Sequence, residues 1–223
     1  MTSRRPSVVV LDYGSGNLRS AQRALQRAGA AAEISADTDA ALQADGLVVP
    51  GVGAFAACMS GLRAAGGDQV IVKRLAASRP VLGICVGMQI LFAAGNEHGV
   101  KTEGVGCWPG VVQKLTAPVL PHMGWNGVSR PPASRLLAGI DANAMFYFVH
   151  SYAARQAPAA RQTPPARPAR PGEADAPVTG WTTHGEPFVA LVEDGPLMAT
   201  QFHPEKSSDA GAVLLANWLE ELR

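Results

Sequence analysis

The sequence predicts an α/β protein: an open, mostly parallel sheet with helices on both faces, plus a flanking antiparallel region. Three observations carry that reading. Short β-branched apolar runs near 8–11, 46–49 and 80–84 alternate with stretches whose apolar residues recur at helical spacing. Glycine or proline closes most of these runs, as strand-to-helix turns require. From Asn96 the texture shifts to glycines, prolines and short alternating runs such as Val111-Val-Gln-Lys-Leu115, the signature of antiparallel strands. A hydrophobic content of 47% against 17% charged residues describes a chain of 223 residues that can bury a sizeable core, read here as one domain over 1–223.

Ser7 to Tyr13 reads as the first strand, central in the sheet. Gly14-Ser-Gly-Asn17 breaks it, and Leu18, Ala21, Leu25 and Ala28 mark a helix that Gly29 stops. The lone Gly14-x-Gly16 lacks a third glycine and a ribose-binding acid, so no dinucleotide site is expected. Ala31–Ser35 is a weak strand, Asp37–Ala44 a short helix, and Gly46–Val49 a third strand ending in Pro50-Gly-Val-Gly-Ala-Phe55. Helices follow over Ala54–Ala65 and Asp68–Ser78. Pro80–Ile84 is then a strand running into Cys85, with a helix from Val86 that is apolar nearly all round through Ala93 and therefore buried. Pro121-His-Met-Gly-Trp-Asn126 reads as a polar-aromatic loop, Ala133–Ala138 as a short helix, and Met145–Tyr152 as an aromatic strand. Val178–His184, Phe188–Glu193 and Leu197–Phe202 are the last strands. Ser207 or Ser208 caps a final helix whose apolar face is Val213, Leu214, Trp218 and Leu219. Arg155 to Pro177 holds six prolines, seven alanines and four arginines with no aromatic or branched apolar residue, and is predicted to be an exposed, flexible insertion.

Charge and cysteine usage narrow the function. A net charge of +1 gives no support to nucleic acid or an anionic membrane as partner, and no apolar run is long enough to span a bilayer. Cys58, Cys85 and Cys107 form no CxxC pair and no His/Cys ligand cluster, which points to a reducing cytoplasm and to neither a metal nor a cofactor.

The chemistry gathers around Cys85. Gly83 and Gly87 flank it two residues away on each side, as a tight strand-to-helix elbow demands, and the helix N-terminus favours a thiolate there. The Pro50–Gly53 loop ends a neighbouring strand, so its amides belong to the same sheet edge. His203 and Glu205 are separated by one proline in an extended segment, which turns both side chains the same way and lets the carboxylate orient the imidazole. Together they compose a Cys-His-Glu triad.

Gly83-Ile-Cys-Val-Gly-Met-Gln89 and Gln201-Phe-His-Pro-Glu205 resemble the class I (triad) glutamine amidotransferases, whose fold is flavodoxin-like. Asp12-Tyr-Gly-Ser-Gly-Asn-Leu-Arg-Ser20, Pro50–Phe55, Pro121–Asn126, Tyr147–Tyr152 and His203–Ser207 narrow this resemblance to the glutaminase subunits of imidazole glycerol phosphate synthases. The resemblance implies hydrolysis of glutamine to glutamate and ammonia, with the ammonia passed to a (β/α)8-barrel cyclase subunit in a heterodimer serving histidine biosynthesis. By position, Cys85 is the nucleophile, His203 the acid and base, and Glu205 its orienting partner. The amides of Val86 and of Gly51, Val52 or Gly53 form the oxyanion hole, the latter after a peptide flip. Gln89, Glu97, His150, Ser151 and Tyr152 hold the glutamine, with Glu103 an alternative to Glu97. Asn17, Trp125, Tyr147 and Lys206 fall near the subunit interface and ammonia passage. Other readings left open are glutaminase to a different synthase, a non-catalytic module on the same fold, and a cysteine-dependent hydrolase.

Overall fold

A computed structural model describes residues 4–159 and 176–223. The chain begins β1 (Ser7–Leu11), α1 (Leu18–Arg27), β2 (Ala31–Ser35), α2 (Thr38–Gln43), β3 (Gly46–Gly51), α3 (Phe55–Ala64), α4 (Gly67–Ala76), β4 (Val81–Cys85) and α5 (Val86–Gln89). There follow β5 (Phe92–Glu97), β6 (Val100–Glu103), β7 (Trp108–Lys114), β8 (His122–Gly127), β9 (Met145–His150), β10 (Tyr152–Ala154), β11 (Val178–His184), β12 (Glu186–Asp194), β13 (Leu197–Thr200), a 3-10 turn over Pro204–Lys206, and α6 (Ser208–Glu220). No helix among the described residues is long and apolar enough to cross a membrane.

The main sheet has seven strands in the order β11-β12-β13-β4-β3-β1-β2, parallel from β13 to β2 and antiparallel at the β11-β12-β13 end. The first strand is therefore not central. That place belongs to β4, every residue of which is buried, whereas β1 neighbours the edge strand β2 with its exposed Ala31 and Glu33. Ligands of open parallel sheets lie beyond the carboxyl ends of the strands. Cys85, the last residue of the middle strand, sits at that edge.

The elbow helix is much shorter than its apolar pattern suggested. It ends after one turn, because the carbonyls of Ile90, Leu91 and Phe92 accept from Val105, Trp108 and Gly106 instead of continuing the helix. Phe92–Glu97 becomes a strand of a second sheet, order β10-β7-β5-β6, in which β5 and β7 run parallel and the other pairs antiparallel. An all-round apolar run fits a buried strand as well as a buried helix, and periodicity cannot separate them.

Three further expectations change. The 121–126 segment is a strand, β8, paired with β9 in the register His122↔His150 and Trp125↔Tyr147. Ala133–Ala138 forms turns, closed by three-residue bonds such as Ala138 N–H to the Arg135 carbonyl at 3.2 Å, while the buried Glu193 carboxylate takes the amides of Arg135 and Leu136. Ser207 precedes α6 without capping it: its hydroxyl accepts from the Tyr147 amide at 3.0 Å and donates to the His203 carbonyl at 2.6 Å. The expected insertion at 155–177 falls, over 160–175, outside the described residues.

Candidate active site

Three glycines let the backbone close around the elbow. A Cβ on Gly87 would lie 1.8 Å from the Val49 carbonyl oxygen, one on Gly83 2.8 Å from the Gly87 carbonyl oxygen, and one on Gly51 2.4 Å from the Gly87 amide. Between them Cys85 adopts φ 56 and ψ −113, a conformation costing a non-glycine residue about 1–3 kcal/mol. Its side chain is thereby set at the floor of a cavity of about 220 Å³, smaller than the ~300 Å³ at which drug-sized sites begin and suited to a small polar molecule.

His203 lies beside Cys85. Its Nδ1 meets Glu205 Oε1 at 2.7 Å with both side chains almost wholly buried, and its Nε2 is buried without a hydrogen bond of good geometry. Burial alone would lower the imidazole pKa, but the adjacent Cys85 and Glu205 outweigh it and push it up to about 10. His203 is thus protonated at neutral pH. Glu205 Oε1 also accepts from Asn17 Nδ2 at 2.6 Å, from the left-handed residue that opens α1. Asn17, expected near the interface, holds the Glu205 carboxylate directly.

The Pro50–Gly53 loop is tied down from three sides. The Tyr13 hydroxyl donates to the Pro50 carbonyl, the Val52 amide donates to Ser15 Oγ at 3.0 Å, and the Cys58 thiol donates to the Val52 carbonyl at 3.4 Å. Val52 and Gly53 line the cavity, but the Val52 N–H is engaged by Ser15. Gly51 packs behind, against Gly87. Val86, the first residue of α5, borders the cavity next to Cys85, and a first-turn amide has no acceptor within its helix.

The remaining wall brings together Gln89, Glu97, His150, Ser151 and Tyr152. Glu97, not Glu103, faces the cavity, and its Oε2 accepts from the Phe55 amide at the start of α3. Gln89 and His150 converge on the Tyr152 carbonyl, at 2.7 and 3.0 Å. Because that oxygen only accepts, His150 Nδ1 carries the hydrogen and its Nε2 accepts from His122 Nδ1 at 3.3 Å. Burial lowers both histidines, His122 to about 4 and His150 to about 3, so both are neutral. Lys206 borders the cavity with its Nζ 5.8 Å from the Tyr147 ring, and Tyr147 meets Trp125 edge to face at 6.0 Å. Trp125 and Tyr147 lie outside the cavity wall.

Sequence reasoning overlooked Gln201 as a site residue; its Nε2 lies 3.7 Å from Cys85 Sγ. Its position two residues before His203 in an extended segment was a usable signal. Tyr13, Ser15 and His122 lie inside the 12–20 and 121–126 motifs, but what each of them bonds, like the Cys58 thiol, is set by a tertiary contact.

The family model for glutamine amidotransferase class-I matches residues 9–222. The chain belongs to the class I glutamine amidotransferases. Among curated relatives of this amidotransferase, imidazole glycerol phosphate synthase subunit HisH of Mycolicibacterium paratuberculosis is 62% identical over 222 residues, covering 100% of both chains. The HisH subunit of Thermobifida fusca is 63% identical over 98% of this chain and 100% of its own. In fold, the amidotransferase matches a crystal structure described as a GMP synthase subunit from Thermoplasma acidophilum, with TM-score 0.69 at 20% identity over 98% of this chain and 94% of the other.

Proposed function

We propose that this amidotransferase is the glutaminase subunit of an imidazole glycerol phosphate synthase, releasing ammonia from glutamine for a cyclase partner in histidine biosynthesis. The observation that carries the reading is His203, wedged between Glu205 and Cys85 at a cavity floor, in a chain about 62% identical to HisH subunits along its whole length.

In this reading the Cys85 sulfur, giving its proton to His203, attacks the side-chain amide carbon of glutamine. The resulting oxyanion takes hydrogen bonds from Val86 N–H and an amide of the 51–53 loop, a contribution of roughly 3 kcal/mol per donor. His203 Nε2 gives its proton to the departing nitrogen, ammonia leaves, and a glutamyl thioester remains. Water then attacks the thioester while His203 takes the water proton, releasing glutamate and regenerating Cys85. Glu205 and Asn17 hold the imidazole throughout. Since Ser15 engages the Val52 amide, that amide serves as the second donor only once the Gly51–Val52 peptide rotates. That requirement supports low activity in the free chain and activation by the partner, a (β/α)8-barrel cyclase, through the exposed side near Trp125, Tyr147 and Lys206. The chain would act in the cytoplasm.

The test is glutamate release by the wild type and Cys85→Ala, each alone and with the cyclase subunit carrying its phosphoribulosyl ligand. Low glutamate release by the free wild type, a large rise in its liganded complex, and none from Cys85→Ala are expected. Equal wild-type rates with and without the partner would reject the coupling, and an active Cys85→Ala would reject the nucleophile.

A further inference from the structure

We propose that Gln201 is a positioning residue for Cys85, its carboxamide donating a hydrogen bond to the sulfur in an orientation dictated from the Tyr152 carbonyl. The inference rests on Cys85 being the nucleophile.

The orientation follows from a chain of donors and acceptors. The Tyr152 carbonyl oxygen only accepts, so Gln89 must turn its Nε2 toward it, at 2.7 Å. The second hydrogen on that nitrogen points to Gln201 at 3.0 Å, so the atom there must be Oε1. This leaves Gln201 Nε2 to face Cys85 Sγ at 3.7 Å. Gln89, Gln201 and Cys85 are each no more than 2% exposed, and the Gln89–Gln201 and Gln201–Cys85 contacts are buried. Flipping the Gln201 amide would set two NH2 groups against each other and an oxygen against the sulfur, leaving buried groups unpaired. The backbone is fixed as well, since the Gln201 amide donates to the Ala190 carbonyl at 2.8 Å.

An N–H aimed at sulfur stabilises the thiolate over the thiol and holds it where His203 can return a proton to the leaving group. The other ionisable groups around the sulfur are His203 and Lys206 from the segment after β13, Glu97 from β5, His150 from β9, Tyr152 from β10, Tyr13 from the loop after β1, and Cys58 from α3. Substituting Gln201 alters none of them chemically.

The test is the pH profile of Cys85 alkylation by iodoacetamide in the full-length chain, read peptide by peptide to separate Cys58 and Cys107. Gln201→Met, near in shape but without a donor, should slow Cys85 alkylation at pH 7 by about tenfold and move the midpoint upward. Gln201→Glu, which sets a carboxylate against the sulfur, should slow it further. In the complex, kcat should fall while KM for glutamine stays within about twofold. Should Gln201→Met not fold, Gln89→Met, read by alkylation of the free chain because Gln89 also borders the cavity, removes the group that orients Gln201 and should shift the midpoint in the same direction. Profiles superimposable on wild type would overturn the proposal, provided wild-type Cys85 outpaces the other two thiols. If it does not, the nucleophile assignment fails instead.

Discussion

Replacing Ser15 with alanine should raise the glutaminase rate of the amidotransferase in the absence of its partner. The Val52 amide donates to Ser15 Oγ at 3.0 Å, and this bond opposes the peptide rotation that the proposed oxyanion hole needs. A neutral hydrogen bond contributes about 0.5–1.5 kcal/mol net. Val52 is 37% exposed, so water can satisfy the released amide, which favours the lower half of that range. A bias of about 1 kcal/mol weakened to zero multiplies a minor conformer roughly fivefold, and an apparent rate scales with the competent fraction. Glutamate release by the free Ser15→Ala chain should therefore rise about two- to fivefold, whereas the fully activated complex, already rotated, should change little. Ser15→Thr keeps the hydroxyl and should remain at the wild-type level. An unchanged or lower rate in free Ser15→Ala, with the fold intact by circular dichroism, would refute the latch.

Asn17→Ala removes the amide that holds Glu205 Oε1 at 2.6 Å, and loss of a bond to a charged acceptor should lower kcat in the complex by about tenfold or more with KM little changed. Cys85→Gly should unfold in urea with about 1 kcal/mol more stability than Cys85→Ala, because glycine relieves the strain at φ 56; equal midpoints would show that no strain is stored there. Stability should also depend on pH through the neutral histidines. Their folded pKa values, about 4 for His122 and about 3 for His150, lie below the ordinary 6.5, so the unfolded chain binds protons first as pH falls. The folded state should lose stability progressively from about pH 6.5 down to about pH 3, and His122→Gln should flatten that slope in urea titrations. His203 works in the opposite sense: raised to about 10, it contributes stability that is complete below pH 6.5 and lost as pH climbs through 10, so urea midpoints of wild type and His203→Ala should converge at high pH.

The strand–helix alternation, the elbow at Cys85 and the meeting of His203 with Glu205 were legible in the chain alone. Gly83 and Gly87 are read from spacing, since any Cβ there meets backbone; His203 and Glu205 do meet, but through the 3-10 turn over Pro204–Lys206 and not through the extended segment expected. Most of the cavity wall was legible in the same way, as motifs whose residue types suit the chemistry. Choices between competing partners for the same atoms, by contrast, are made only in three dimensions. The run after Cys85 suits helix and strand equally, and the backbone of 105–108 settles it by claiming the carbonyls of Ile90–Phe92. The 121–126 segment becomes a strand only because β9 lies beside it, and the first strand loses the centre of the sheet to β4. Ser15 on the loop amide, Asn17 on Glu205 and Gln201 on the sulfur are hydrogen bonds between residues 37, 188 and 116 positions apart. No periodicity reaches across such separations, and burial fixes which of their atoms donate and which accept.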